Sequence, residues 1–243
     1  MTLVITALAC LVGFMILGLW ASLAVSVYHF RRDHAGPDQP LLPMTLIKPV
    51  RGLDDGMREN FEAIADSDPE KALQVIIALE SDADPAAALA RGFAASHPDR
   101  DILVLYTGPA RGRMGKIHNM IGALSKAKHA RVIFSDADIR TTPGLLRGTS
   151  RAFREGSEAV FGLPYHVYVP DLGGWMFRVA FNHNFSIAAP LTYYLGFFQF
   201  ASGAWMAHPR APGPRACRPS RPRRRNGRAR RNSSRPRRGR NNG

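Results

Sequence analysis

Residues Thr2–Tyr28 carry no charged side chain, and this run limits the possible folds more than any other feature. As a helix it is long enough to cross about 30 Å of hydrocarbon. It lacks the basic flank and short apolar run of a secretory signal, and core helices of that length are rare in soluble domains. The chain is therefore expected to carry a transmembrane helix over residues 2–28, with Trp20 and Tyr28 suited to the interface near its end. His29, Arg31 and Arg32 come next. Under the positive-inside rule they hold that flank in the cytoplasm, with the N-terminus outside.

The net charge of +14 over 243 residues first suggests a nucleic-acid partner, but it is unevenly placed. The segment 208–243 holds 14 of the 33 Lys and Arg residues and none of the Asp or Glu, leaving 19 basic residues to balance 19 acidic ones. The folded body is neutral, and no specific nucleic acid is expected. The two cysteines, Cys10 and Cys217, flank that body and imply no disulfide framework.

Beyond a polar linker, His34–Pro43, apolar strand-length runs alternate with helical patterns. Strands are predicted at Met44–Ile47, Ala72–Leu79, Asp101–Tyr106, Arg131–Ser135 and Ala159–Leu163. Helices are predicted at Arg58–Ala65, Pro85–Ser96, Lys116–Lys126 and Pro143–Arg154. Continuous apolar strands between helices predict an α/β fold with a parallel sheet buried on both faces. Ligands in such sheets bind beyond the carboxyl ends of the strands, and the polar clusters fall there. They are Lys48–Asp54, Glu80–Asp84, Gly108–Lys116 with Arg111 and Arg113, and Asp136 with Asp138. Carboxylates beside a basic, glycine-containing loop suit a nucleoside diphosphate bridged by Mg2+ or Mn2+.

Other phosphate and metal signatures fail. GPARGRMGK lacks the first glycine of a P-loop at Ala110, and Ile117 stands where Ser or Thr is needed. No GxGxxG follows the first strand, the histidines lack zinc-ligand spacing, and no GxSxG elbow occurs.

A strand followed by DxD, as in VIFSDADIR, resembles the GT-A glycosyltransferases, which use nucleotide-sugar donors. Five stretches in order resemble the ceramide glucosyltransferase family, glycosyltransferase family 21, and its bacterial hopanoid-associated relatives. They are IKPVRGLDD (47–55), ALESDADP (78–85), GKIHNM (115–120), FSDADIR (134–140) and FGLPYHV (161–167); ASGAWMA (201–207) resembles a later strand. The resemblance covers a GT-A domain from residue 43 to 207.

It implies a transferase moving a sugar, with inversion, from a UDP-sugar to a lipid hydroxyl of ceramide or a hopanoid, at a bacterial inner membrane. Pro49, Arg51 and Gly52 would shape the uridine wall. Glu80 or Asp82 would accept hydrogen bonds from base or ribose, with an Asx turn before Pro85 as the alternative. Lys116 would neutralise diphosphate, Asn119 would orient its loop, and Asp138, seconded by Asp136, would hold Mn2+ or Mg2+. Arg140 would pair locally with a carboxylate.

The uncharged segment Phe185–Ala207 is expected to lie on the bilayer interface near the lipid acceptor. After Ala207 the resemblance stops, and no Asp or Glu follows Asp171. The general base and QxxRW-type motif expected beyond residue 207 are absent, so no catalytic residue is assigned and the chain as given is expected to be inactive. The Arg/Pro-rich segment 208–243 is expected to be disordered. Its abrupt onset inside a motif favours a reading-frame shift. The competing reading is a non-catalytic anchored protein whose polybasic tail binds nucleic acid or anionic lipid.

Overall fold

A computed structural model describes residues 1–31, 39–112, 114–167, 171–183, 189–196 and 203–210. The uncharged run forms one helix, α1 (Thr2–Arg31), whose residues 2–29 are apolar enough to cross a membrane. The next elements are β1 (Met44–Pro49), α2 (Met57–Ser67), β2 (Leu73–Leu79), α3 (Ala87–Ser96), β3 (Asp101–Tyr106), α4 (Gly115–Leu124), β4 (Arg131–Ser135), α5 (Pro143–Arg154) and β5 (Val160–Phe161). Then come α6 (Leu172–Asn182), α7 (Ala189–Leu195) and β6 (Trp205–Pro209).

The strands form one sheet in the order β3-β2-β1-β4-β6-β5. The first four run parallel, as the alternation predicts. The expectation of a parallel sheet fails beyond β4, because β6 pairs antiparallel with both β4 and β5. Strand β6 returns from α7 to fill the edge of β4, and β5 is left as two residues against it. Its neighbour Gly162 donates to the Trp205 carbonyl at 3.0 Å, and a Cβ there would lie 2.8 Å from the Trp205 Cβ. Glycine is what lets the strand end this close to the indole.

Alternate residues of each central strand enter opposite cores. Leu46, Val75, Ile77 and Ile133 pack with Phe61, Ile64, Phe93 and Leu146 of the helices on one face. Ile47, Ile76, Val132 and Phe134 pack with Ala123 of α4 on the other. Trp205 is fully enclosed and donates from Nε1 to Thr149 Oγ1 at 3.2 Å.

Two boundaries differ from the sequence reading. Strand β6 continues through His208 and Pro209, which that reading placed in the tail, and Arg210 donates to the Ala130 and Ala127 carbonyls at 2.7 Å each. The remaining tail, residues 211–243, lies outside the described residues. The segment read as one interfacial surface, Phe185–Ala207, instead divides. Its α7 packs on α1, with Tyr194 and Tyr28 ring centroids 6.2 Å apart and the Tyr194 hydroxyl 3.3 Å from His29 Nδ1. Its last residues belong to the sheet, while Phe185, Phe197 and Phe198 lie outside the described residues.

A buried polar network joins β1, β2 and the α4–β4 connection. Thr45 Oγ1 donates to Gln74 Oε1 at 2.8 Å, the Lys128 N–H donates to the same oxygen at 2.7 Å, and Gln74 Nε2 donates to the Lys126 carbonyl at 3.1 Å. Replacing Gln74 by Leu strips partners from all three. The Gln74→Leu chain should lose about 1–3 kcal/mol of stability, read as a lower urea midpoint in detergent. An unchanged midpoint would remove the network from the account of this fold.

Candidate functional site

In the sheet order, β1 lies between β2 and β4, so the chain winds away from β1 in both directions. This is a topological switch point, where the connections leaving adjacent strand ends diverge and open a crevice. The segments leaving β1 and β4 are Val50–Asp54 and Asp136–Arg140. Their Val50, Arg51, Asp54, Asp136, Ala137 and Asp138 wall a cleft of about 380 Å³ together with Pro49, Glu80, Met114, Gly115, Lys116 and Asn119.

The floor is set by Lys48, a fully buried lysine at the end of β1. Its ammonium donates to the carbonyls of Asp136 at 2.6 Å and Ile139 at 2.9 Å, and to Ser135 Oγ at 3.3 Å. Burial pushes the ammonium down from the usual lysine range to about 7, while Asp138 and then Asp136 pull it upward. Asn60 of α2 adds a donor to the Ala137 carbonyl at 3.3 Å and accepts from Arg140 Nε at 3.3 Å. Arg140 thus meets an amide, where the sequence reading expected a carboxylate. Across the sheet, the Asp136 N–H donates to the Ala204 carbonyl at 3.0 Å. The turn that carries both aspartates is held from β1, α2 and the entry to β6.

Lys116 opens α4 and reaches Asp136 Oδ1 at 2.5 Å, so a cation and a carboxylate meet at the cleft wall. Met114 caps α4 without a side-chain hydrogen bond. The first N–H groups of the helix therefore have no acceptor from a capping side chain. Asn119, one turn on, is buried. Its Nδ2 donates to the Ala78 carbonyl at 3.2 Å and its Oδ1 accepts from Thr107 Oγ1 at 2.6 Å. Both polar atoms are spent on the ends of β2 and β3, so Asn119 positions α4.

Of the residues expected from sequence, Pro49, Arg51, Glu80, Lys116, Asn119, Asp136 and Asp138 line the cleft, whereas Gly52 and Asp82 do not. Gly52 (φ +68°) donates its N–H to both Asp84 oxygens at 3.0 and 3.1 Å, and Asp84 also accepts from Ala86 N–H at 2.9 Å. Asp84, missed in the sequence reading, ties the loop after β1 to the start of α3. It makes the Asx turn that the reading held as its alternative for this cluster. Asp82 is solvent-exposed. Arg111 is an exposed residue with φ +41°, and Arg113 lies outside the described residues. Lys48 was also missed; the only signal was a lysine closing an apolar central strand.

The donor set limits what cation the site suits. Asp136 and Asp138 offer hard carboxylate oxygens, and Asp138 makes no hydrogen bond or ion pair among the described residues. No group of three or more His, Cys, Asp or Glu gathers among the described residues. Two carboxylates without further protein ligands fit a Mg2+ or Mn2+ ion that fills its shell with phosphate oxygens and water. They do not fit an ion caged by protein alone.

Replacing Lys48 by Met keeps the apolar stem and removes the ammonium, leaving buried carbonyls of the turn without a donor. The Lys48→Met chain should lose about 1–3 kcal/mol in thermal or urea unfolding. Its amide exchange should rise first at residues 136–139. Protection there equal to the unmodified chain would show that Asn60 and the β6 entry suffice.

The sequence model for the family described as Glycosyl transferase family 21 matches residues 5–212. Ceramide glucosyltransferase 1 of Caenorhabditis elegans is 28% identical over 167 residues, 63% of this chain and 36% of that protein. Ceramide glucosyltransferase 3 of the same organism is 27% identical over 167 residues, 66% of this chain and 36% of that protein. The chain thus spans about a third of the length of the curated relatives it matches. Among solved structures, a mannosyltransferase from Pyrobaculum calidifontis in complex with GDP-Man and Mn2+ aligns with a TM-score of 0.48 at 20% identity. That alignment covers 79% of this chain and 56% of the other. Mannosyl-3-phosphoglycerate synthase from Rubrobacter xylanophilus aligns with a TM-score of 0.42 at 19% identity, over 70% and 54%.

Proposed function

The chain belongs to glycosyl transferase family 21, and from that premise we propose that it is a membrane-anchored transferase taking a sugar from a UDP-sugar to a lipid hydroxyl. The observation that carries this reading is the meeting of Asp136, Asp138 and Lys116 on one cleft at the switch point of the sheet. Ceramide and a hopanoid are the acceptors the sequence resemblance favours, with inversion at the anomeric carbon.

On this reading Asp138 and Asp136 hold Mn2+ or Mg2+, which, when bound, neutralises diphosphate charge. The ammonium of Lys116 and the first N–H groups of α4 face the same phosphates and stabilise the charge that gathers on the departing UDP. Arg51 and Pro49 wall the nucleoside side. Glu80, exposed at the end of β2, accepts from a base or ribose donor on this reading, and Gly52 shapes that wall through its bond to Asp84. No general base is assigned among the described residues. Helix α1 crosses the bilayer with Arg31 on the cytoplasmic side, where UDP-sugars are made available to the cleft.

Two measurements test this. Asp138→Asn removes a charge with little change in volume and should weaken manganese-dependent UDP binding by at least about tenfold, the lower end of what loss of a supporting metal contact costs. Circular dichroism should stay unchanged. UDP binding that is indifferent to manganese in both chains would return Asp136 and Asp138 to a simple turn. A reporter fused after Arg31 should be cytoplasmic. A signal from the opposite side would separate the cleft from cytosolic donors and sink the topology.

A further inference from the structure

The described residues from Tyr165 to Leu195 expose more large apolar side chains than any part of the sheet domain. Helix α6 (LGGWMFRVAFN) has no buried residue and one charge, Arg178. Phe177 and Phe181, on one side of the helix, pack against His166, with ring centroids 5.1 and 6.4 Å from the imidazole, while Phe177 stays 55% exposed. Asn182 fixes that contact by accepting from the His166 N–H at 2.6 Å and donating to its carbonyl at 2.9 Å. The segment after β5 is thereby strapped along α6. Leu172, Trp175, Met176 and Val179 stand at i, i+3, i+4 and i+7, which is one helical face, and they are 73, 53, 61 and 50% exposed.

A stripe of this kind needs a cover, and its place in the chain indicates which. Tyr194 of α7 is in ring contact with Tyr28 and His29, the last turn of the apolar helix. This pins α7 at the point where α1 leaves the hydrocarbon. The link from Asn182 to Ala189 reaches at most about 25 Å, which keeps α6 within that distance of α7. Arg178 flanks the stripe, the position from which a guanidinium reaches lipid phosphate while its neighbours stay apolar.

We propose that α6, with the strap from Gly162 to Val167, lies in the headgroup layer of the bilayer that α1 crosses, its Leu172, Trp175, Met176 and Val179 face turned to the acyl chains. This rests on the proposed membrane crossing by α1. It adds a second, non-spanning contact with the same lipid surface.

The test is collisional accessibility of nitroxide labels on the full chain in vesicles of phosphatidylcholine and phosphatidylglycerol. Native Cys10 in α1, with Cys217→Ser, reports the span. Met176→Cys and Val179→Cys, each in the Cys10→Ser, Cys217→Ser background, report α6, and Lys126→Cys reports water. None of the labelled side chains is buried, so none of these replacements removes a core contact. Both α6 labels should favour oxygen over a nickel chelate several-fold, as Cys10 does, and Lys126→Cys should show the reverse. If the α6 labels behave as Lys126→Cys while Cys10 favours oxygen, the span stands and the proposal falls. Labels closed to both reagents would mean that protein, such as a second copy, covers the face, which also overturns it. A nickel-accessible Cys10 would remove the span and the proposal together.

Discussion

The acidic turn after β4 depends on one buried cation. The ammonium of Lys48 has no solvent, and its hydrogen bonds are met by the Asp136 and Ile139 carbonyls and by Ser135. Neither side of this contact is stable alone. A buried ammonium without acceptors is strongly disfavoured, and so are buried carbonyls without donors. The pairing forces the chain leaving β4 to curl over the end of β1, and the curl projects Asp136 and Asp138 into the cleft. The central pairing of β1 with β4 (Thr45 with Val132, Ile47 with Phe134) brings the two strand ends level, and Lys48 locks the turn that leaves them.

Much of this architecture is legible in the sequence alone. Strands such as LQVIIAL, apolar at every position but Gln74, have to be covered on both faces, and that requirement implies the helices between them. The same pattern puts the polar clusters at strand ends, so seven of the nine expected binding residues share a cleft. Direction is not legible. Nothing in ESDAD distinguishes Asp84, whose side chain holds Gly52, from Asp82, which faces water, because that choice depends on where α3 begins relative to the loop after β1. Nothing in IKPV states that the lysine points inward, because its acceptors lie almost ninety positions later in the chain. The orientation of β6 is hidden for the same reason. Its partners are set by packing of Trp205 beneath Gly162 and beside Thr149, none of which is local in sequence.

The membrane-facing side shows a similar division of labour. The uncharged run announces α1 from composition, yet its packing against α7 is carried by aromatic contacts between Tyr28, His29 and Tyr194. Tyrosine suits this task because its ring is apolar and its hydroxyl still finds a partner.

The late arrival of β6 has a consequence for how the chain reaches this state. Until residues 204–209 are made and in place, β4 presents an open edge to solvent, and the Asp136 N–H lacks the Ala204 carbonyl that it pairs with in the finished sheet. Closing that edge requires the chain between Ser135 and Trp205 to loop back, a long-range closure of the kind that slows folding. During synthesis the half-built sheet is therefore an exposed strand template, tethered by α1 and open to mispairing with a neighbouring nascent chain. The binding turn gains its contact with the Ala204 carbonyl only when β6 docks.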